Sequence, residues 1–225
     1  LNMNFCRHDL LFLTEQGRKT AWENRFIPNT EDREPWEQFS NIPAIFRTQR
    51  TKTPADWVDV GFSYPLRRNG ARYRIAASVP RMEVIRRITP WEISALVQSG
   101  GMPALILAWT LQETAASMGI RIGFFGSAAL QIVTGEAYLH PDSDLDLLLD
   151  RAPPQQLQAY LKLTQIAERR MRGRTDIELH IGNGQFIKLK ELFQEQKTIL
   201  VKSSQGPTLV SRRRILESLD ATDIK

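Results

Sequence analysis

The chain has 225 residues, 42% of them hydrophobic, enough to pack one large domain or two small ones without disulfide or metal staples. A formal charge of +5 admits nucleic acid, an acidic protein or a polyphosphate as partner, yet no zinc-ligand spacing, RNP-like motif or helix-turn-helix signature favours nucleic acid. One cysteine, Cys6, excludes an internal disulfide, and neither a bilayer-length apolar run nor a signal-peptide pattern is present, so a cytoplasmic protein with no membrane partner is expected.

In chain order, residues 1–88 read as strand-like pieces among loops, a β-rich N-terminal domain. Leu1-Asn2 precedes Met3, a candidate natural start. Pro28 to Pro35, charged and polar, reads as a surface loop. Trp57 to Phe62 reads as a strand, Arg67 to Gly70 as a turn, and Arg72 to Val79 as the returning strand. Thr89-Pro90-Trp91-Glu92 then marks a boundary: Thr89 can cap a helix, Pro90 suits its first position, and Glu92 completes a capping box.

Residues 89–225 form the second domain, with an α/β texture. The spacing predicts a short helix over 90–99, ended by Gly100-Gly101. A longer helix follows from Pro103 to about Met118, with Leu105, Ala108, Leu111 and Ala115 on one buried stripe. Arg121 to Phe125 reads as a strand, Gly126-Ser127 as the opening of a helix over Ala128 to Val133, and Leu145 to Leu149 as a strand buried on both faces. A helix from Pro153 to about Arg170 and a third strand, Ile177 to Ile181, complete the reading. The fold class is α+β: a small mixed sheet covered by helices, preceded by the smaller β-rich part.

The chemistry lies in Gly126-Ser127 and in Asp142-Ser143-Asp144-Leu145-Asp146. A strand running into Gly-Ser at a helix start presents backbone N–H groups to an anion; alternatively Ser127 merely caps its helix. Asp144 and Asp146, two apart on a strand, point from the same face. Two such charges about 4 Å apart repel by about 4 kcal/mol at an effective dielectric of about 20. A divalent cation relieves that, and Mg²⁺ favours carboxylates together with substrate phosphate oxygens. An EF-hand reading fails because Leu147 stands where that loop requires glycine.

A further carboxylate for a second metal, or for the incoming nucleophile's proton, is expected from the next strand. Asp176 and Glu178 share a face there, and Glu178 is preferred because it lies inside the apolar run. Salt bridging to Arg172 or Arg174 is the alternative for either. His180, on the same face, is a candidate phosphate contact or a core or surface histidine. Arginine clusters, including Arg67-Arg68, Arg72 and Arg74, read as solvated surface unless they face the cleft. In that case the N-terminal domain would be a lid or docking surface for an anionic ligand.

Gly-Ser at a helix start with Asp-x-Asp on the next strand resembles the DNA polymerase β-like nucleotidyltransferase superfamily over about residues 120–182. The 16 residues between Ser127 and Asp144 exceed that family's usual spacing and read as an insertion. A narrower match spans nearly the whole chain. Arg7-His8-Asp9-Leu10-Leu11, Val60-Gly61-Phe62, Leu139-His140-Pro141-Asp142-Ser143-Asp144-Leu145-Asp146 and Gly206-Pro207-Thr208-Leu209-Val210 resemble the phosphoribosyl-dephospho-CoA transferases, the MdcG family. That resemblance implies moving the 2′-(5″-phosphoribosyl)-3′-dephospho-CoA group from triphosphoribosyl-dephospho-CoA to a serine of the acyl carrier protein subunit of malonate decarboxylase, releasing pyrophosphate. In that chemistry Asp144 and Asp146 would hold Mg²⁺, Gly126 and Ser127 the leaving pyrophosphate, and Glu178, aided by Asp176, a second cation or the serine proton. Nucleotide transfer from an NTP to another hydroxyl, and a non-catalytic binding module on the same fold, are the rival readings.

Overall fold

The computed structural model describes residues 4–26, 33–50, 52–68, 70–204 and 206–221. The first half is a five-stranded antiparallel sheet in the order β4-β3-β2-β1-β5. Its strands are β1 (Leu10–Leu13), β2 (Ala44–Phe46), β3 (Trp57–Arg68), β4 (Ala71–Pro80) and β5 (Val84–Ile88). Strand alternation explains its core. Val58, Val60, Phe62 and Tyr64 of β3 face one side with Tyr73, Ile75, Ala77 and Val79 of β4, and Trp22 and Trp36 close over them. Each large side chain buried this way contributes about 1.5–3 kcal/mol.

The two tryptophans sit on helices α1 (Glu15–Glu23) and α2 (Glu34–Gln38), which the strand-and-loop expectation for this half omits. The signal for α1 is Thr14, whose side chain accepts the Gly17 N–H. The expected Pro28–Pro35 loop falls partly outside the described residues, and α2 already begins at Glu34. Leu1-Asn2 also lies outside them. Arg67 and Arg68, expected in a turn, still belong to β3, and the chain reverses beside Gly70.

The second half is a six-stranded sheet in the order β11-β10-β9-β8-β7-β6. The strands are β6 (Ile122–Phe124), β7 (Asp144–Leu149), β8 (Arg174–Gly182), β9 (Gln185–Lys188), β10 (Thr198–Ser203) and β11 (Gly206–Ser211). Only three of these strands were expected. β7 and β8 run parallel, joined by a crossover helix, α6 (Pro154–Met171), as a parallel pair requires; the other neighbours are antiparallel.

The remaining helices are α3 (Pro90–Ser94), α4 (Pro103–Ser117), α5 (Gly126–Thr134), α7 (Leu189–Leu192) and α8 (Arg212–Asp220). The capping box at Thr89 and Glu92 is formed, but α3 stops at Ser94 rather than near residue 99. Its last turn tightens, Leu96 and Val97 bonding three residues back to Ile93 and Ser94. On α4 the buried stripe is Leu107, Ala108, Leu111 and Ala115; Leu105 lies at its margin, only partly buried. This stripe packs with Leu157 and Tyr160 of α6 and with Leu145, Leu147 and Leu149 of β7. The opposite sheet face, bearing Asp144, Asp146, Asp176 and Glu178, is thereby left to the N-terminal half. No helix among the described residues is long and apolar enough to cross a membrane.

Candidate active site

Parallel pairing sets Asp146 of β7 directly opposite Asp176 of β8, and Asp144 opposite Arg174. Asp146 lies against the start of α5. There Gly126 takes φ +63, and a Cβ added to it would stand 1.9 Å from Asp146 Oδ2. Glycine therefore fits for two reasons: the left-handed backbone and the absence of room for any side chain. No side chain caps α5, so Ser127 is not its cap and the first N–H groups stay open to a ligand.

Burial pushes the Asp146 carboxyl up to about 7. Asp176 adds to the rise, Lys188 opposes it, and Asp144 and Glu178 add smaller contributions. Two of the neighbouring carboxylates hold a cation of their own. Asp144 Oδ1 accepts from Arg174 Nε at 2.7 Å, and Asp176 pairs with Lys188. Among the described residues no three His, Cys, Asp or Glu side chains are arranged as a ready metal cage. The donor set nonetheless suits Mg²⁺: hard carboxylate oxygens on one strand end, one of them short of positive charge, facing an open cavity.

Glu178 belongs elsewhere. It is 2% exposed, and its oxygens meet His8 Nε2 at 2.8 Å, Arg7 Nη2 at 3.3 Å and Lys202 Nζ at 2.9 Å. Burial alone would raise its carboxyl, but these partners hold it well below the usual carboxylate range. Burial also lowers His8, so the lasting positive charges opposite Glu178 are Arg7 and Lys202. His8 has φ 74 and stacks on Phe125 at 3.8 Å, next to Gly126. The Arg7-His8 tip of the N-terminal half thus plugs the sheet face and consumes the carboxylate that sequence position favoured. Asp176, the edge residue, is the one that meets Asp146. Its salt-bridge partner is Lys188, whereas Arg174 serves Asp144.

His180 bonds Asp150 through Nδ1 at 3.0 Å and lines a separate cavity of about 590 Å³ with Trp91, Arg121 and Phe186. Arg67 is exposed and donates to the Gly70 carbonyl; Arg72 donates to the Tyr138 carbonyl at 2.7 Å. Neither lines the cavity of about 470 Å³ that holds Gly126, Ser127 and Asp146. Its far wall comes from the N-terminal sheet and carries Arg47, Ser63 and Arg74. Arg47 has no local signal in the sequence, because it enters only through the pairing of β2 with β3.

Family comparisons cover both halves of the chain. Residues 6–90 match the model of the phosphoribosyl-dephospho-CoA transferase MdcG N-terminal domain, and residues 94–213 that of its C-terminal domain. A phosphoribosyl-dephospho-CoA transferase of Xanthomonas euvesicatoria pv. vesicatoria is 28% identical over 92% of this chain and 94% of its own length. One from Pseudomonas syringae pv. tomato is 31% identical over 75% and 77%, and one from Pseudomonas putida 30% over 76% and 80%. No solved structure matches the chain.

Proposed function

We infer the reaction from one premise: this chain belongs to the phosphoribosyl-dephospho-CoA transferase MdcG family. It transfers the 2′-(5″-phosphoribosyl)-3′-dephospho-CoA group from a triphosphate donor to a serine hydroxyl of an apo acyl carrier protein, that of malonate decarboxylase. The observation that carries this reading is the half-buried Asp146 carboxylate seated against the Gly126 turn, at the mouth of an uncapped helix.

The serine oxygen attacks the α-phosphorus, the bond to the β-phosphate bridging oxygen breaks, and pyrophosphate leaves with that electron pair. The N–H groups at the start of α5 and the Ser127 hydroxyl receive the departing phosphates. Asp176, the carboxylate opposite Asp146, takes the serine proton; its one ion-pair partner among the described residues is Lys188, whereas Glu178 is engaged by Arg7, His8 and Lys202. Asp144 and Asp146 would hold Mg²⁺, which when bound supplies positive charge to the phosphate oxygens. Arg174 and Lys188 neutralise the carboxylates that flank Asp146 and keep the strand end together until ligand arrives.

The test is mass spectrometry of an apo carrier protein incubated with the chain, the triphosphate donor and Mg²⁺. A mass gain equal to the phosphoribosyl-dephospho-CoA group, absent with Asp146→Asn, is expected. A nucleotide-sized gain with ATP would identify an NTP-dependent transferase instead. No gain and no pyrophosphate with either donor would leave a non-catalytic binding module.

A further inference from the structure

The N-terminal sheet contributes more than cover. We propose that Arg47 and Arg74 form a polyphosphate clamp across the cavity from Gly126 and Ser127, gripping the two outer phosphates of the donor. The assignment rests on the transfer reaction above and adds the residues that recognise the leaving half of its substrate.

The wall that faces α5 is the side of the N-terminal sheet opposite its tryptophan-covered core. In register, Gly61 pairs with Ala76 and with Ile45, and Ser63 pairs with Arg74. Gly61, Ala76 and Ser63 are small, so the floor between the two arginines stays open. Arg47 crosses that floor: a Cβ on Gly61 would meet Arg47 Cδ at 3.2 Å. This close approach gives the Val60-Gly61-Phe62 segment a physical purpose, since a Cβ at Gly61 would press on the Arg47 stem lying across the strand.

Other arginines here are occupied. Arg7 pairs with Glu178, Arg50 with Asp59, Arg174 with Asp144, and Arg72 holds the Tyr138 carbonyl. Arg47 and Arg74 have no carboxylate partner among the described residues, although both line a cavity. A guanidinium presents a planar fork that matches phosphate oxygens in pairs. Arg47 and Arg74 arise on either side of β3, beside Asp59 and opposite Ser63, and the Arg47 stem reaches back over Gly61, so the two forks approach one cavity from flanking strands and a chain of linked phosphates, unlike a lone one, spans both. Opposite them stand the free N–H groups of α5. Two arginines on one wall and a helix start on the other suit an extended, multiply charged anion.

The experiment is calorimetric titration of the full chain with inorganic tripolyphosphate and, separately, orthophosphate, both with Mg²⁺. Arg47→Gln and Arg74→Gln are each expected to weaken tripolyphosphate binding about tenfold or more, the loss of a charge-assisted bond. Arg74→Lys should recover part of that affinity, and Gly61→Ala, which shifts the Arg47 stem only slightly, should weaken binding less than Arg47→Gln. Arg213→Gln, which breaks only an exposed pair with Glu217, should change nothing. Unchanged tripolyphosphate affinity in the double Arg47→Gln, Arg74→Gln variant would overturn the clamp. So would wild-type binding of tripolyphosphate no tighter than orthophosphate. Carrier modification run in parallel separates the two levels. Normal transfer, with donor KM and tripolyphosphate affinity untouched in the double variant, rejects the clamp and keeps the reaction. Loss of tripolyphosphate in the double variant, with no transfer by wild type, keeps the clamp and rejects the reaction.

Discussion

Helix α5 carries its own controlled comparison, because it begins and ends on a left-handed glycine. Gly126 has φ +63 and Gly135 has φ +76. Alanine at either position meets the backbone cost of an L residue in that region, about 1–2 kcal/mol. At about 2–4 °C per kcal/mol for a chain of this size, Gly135→Ala should lower Tm by about 2–8 °C. Nothing lies within 4 Å of the Cβ it would add, so the site should be undisturbed. At Gly126 the same methyl would stand 1.9 Å from Asp146 Oδ2 and 2.8 Å from its Cγ. Restoring ordinary contact at 3.4 Å moves either the carboxylate or the helix mouth by about 1.5 Å. Misplacement of about 1 Å at a reacting centre costs about 100-fold in rate. Thermal unfolding followed by circular dichroism, with initial rates of carrier modification at saturating donor, reads both effects. Gly135→Ala should keep nearly wild-type turnover, and Gly126→Ala should lose about two orders of magnitude. Equal rates for the two variants would refute the placement of Gly126 and Asp146 at the reacting centre.

Two more predictions concern the carboxylates. Asp146 keeps its proton in the fold up to about 7, whereas the unfolded chain releases it near 3.8, so the native state binds more protons between those values and stability falls as pH rises through them. Asp146→Asn should therefore abolish transfer yet melt higher than wild type at pH 8 in EDTA, with a smaller advantage at pH 5; an advantage that shrinks with rising pH would contradict this. Glu178→Gln removes the buried charge that Arg7 and Lys202 meet from partly exposed positions and should cost about 1–3 kcal/mol of stability, whereas Asp176→Asn should spare the melt and reduce kcat. Denaturant midpoints and turnover per folded molecule check the pair, and the reverse pattern would return Glu178 to the chemistry.

What could be read directly from residues was local. Strand-like runs through Trp57–Phe62 and Arg72–Val79 exposed a hairpin, Thr89 with Glu92 declared a helix start, and Gly126-Ser127 and Asp144-Leu145-Asp146 marked a helix start and an acidic strand that the fold brings together. What escaped depends on pairing between distant segments. Nothing within Asp176-Ile177-Glu178 shows which carboxylate meets Asp146, because that is decided by the register of β7 on β8 and by an arginine and a histidine 170 or so positions earlier. Arg47 enters the cavity through β2 pairing with β3, another long-range event. Strands β9 to β11 are short hairpins whose half-buried faces alternate too briefly to stand out; Ile199 and Val201 are the buried pair on β10.

The long stretch between α5 and the acidic strand is moored to the opposite half of the molecule. Gln131 Oε1 accepts the N–H groups of Tyr138 and Leu139, the Tyr138 hydroxyl reaches the Ser63 carbonyl at 2.9 Å, and Arg72 grips the Tyr138 carbonyl. Ser63 and Arg72 sit on the same hairpin that presents Arg74, so the chain leading into Asp144 and Asp146 takes its bearings from the sheet that faces them. The width of the cavity between the two walls is therefore tied to the bonds that Tyr138 makes with Ser63 and Arg72.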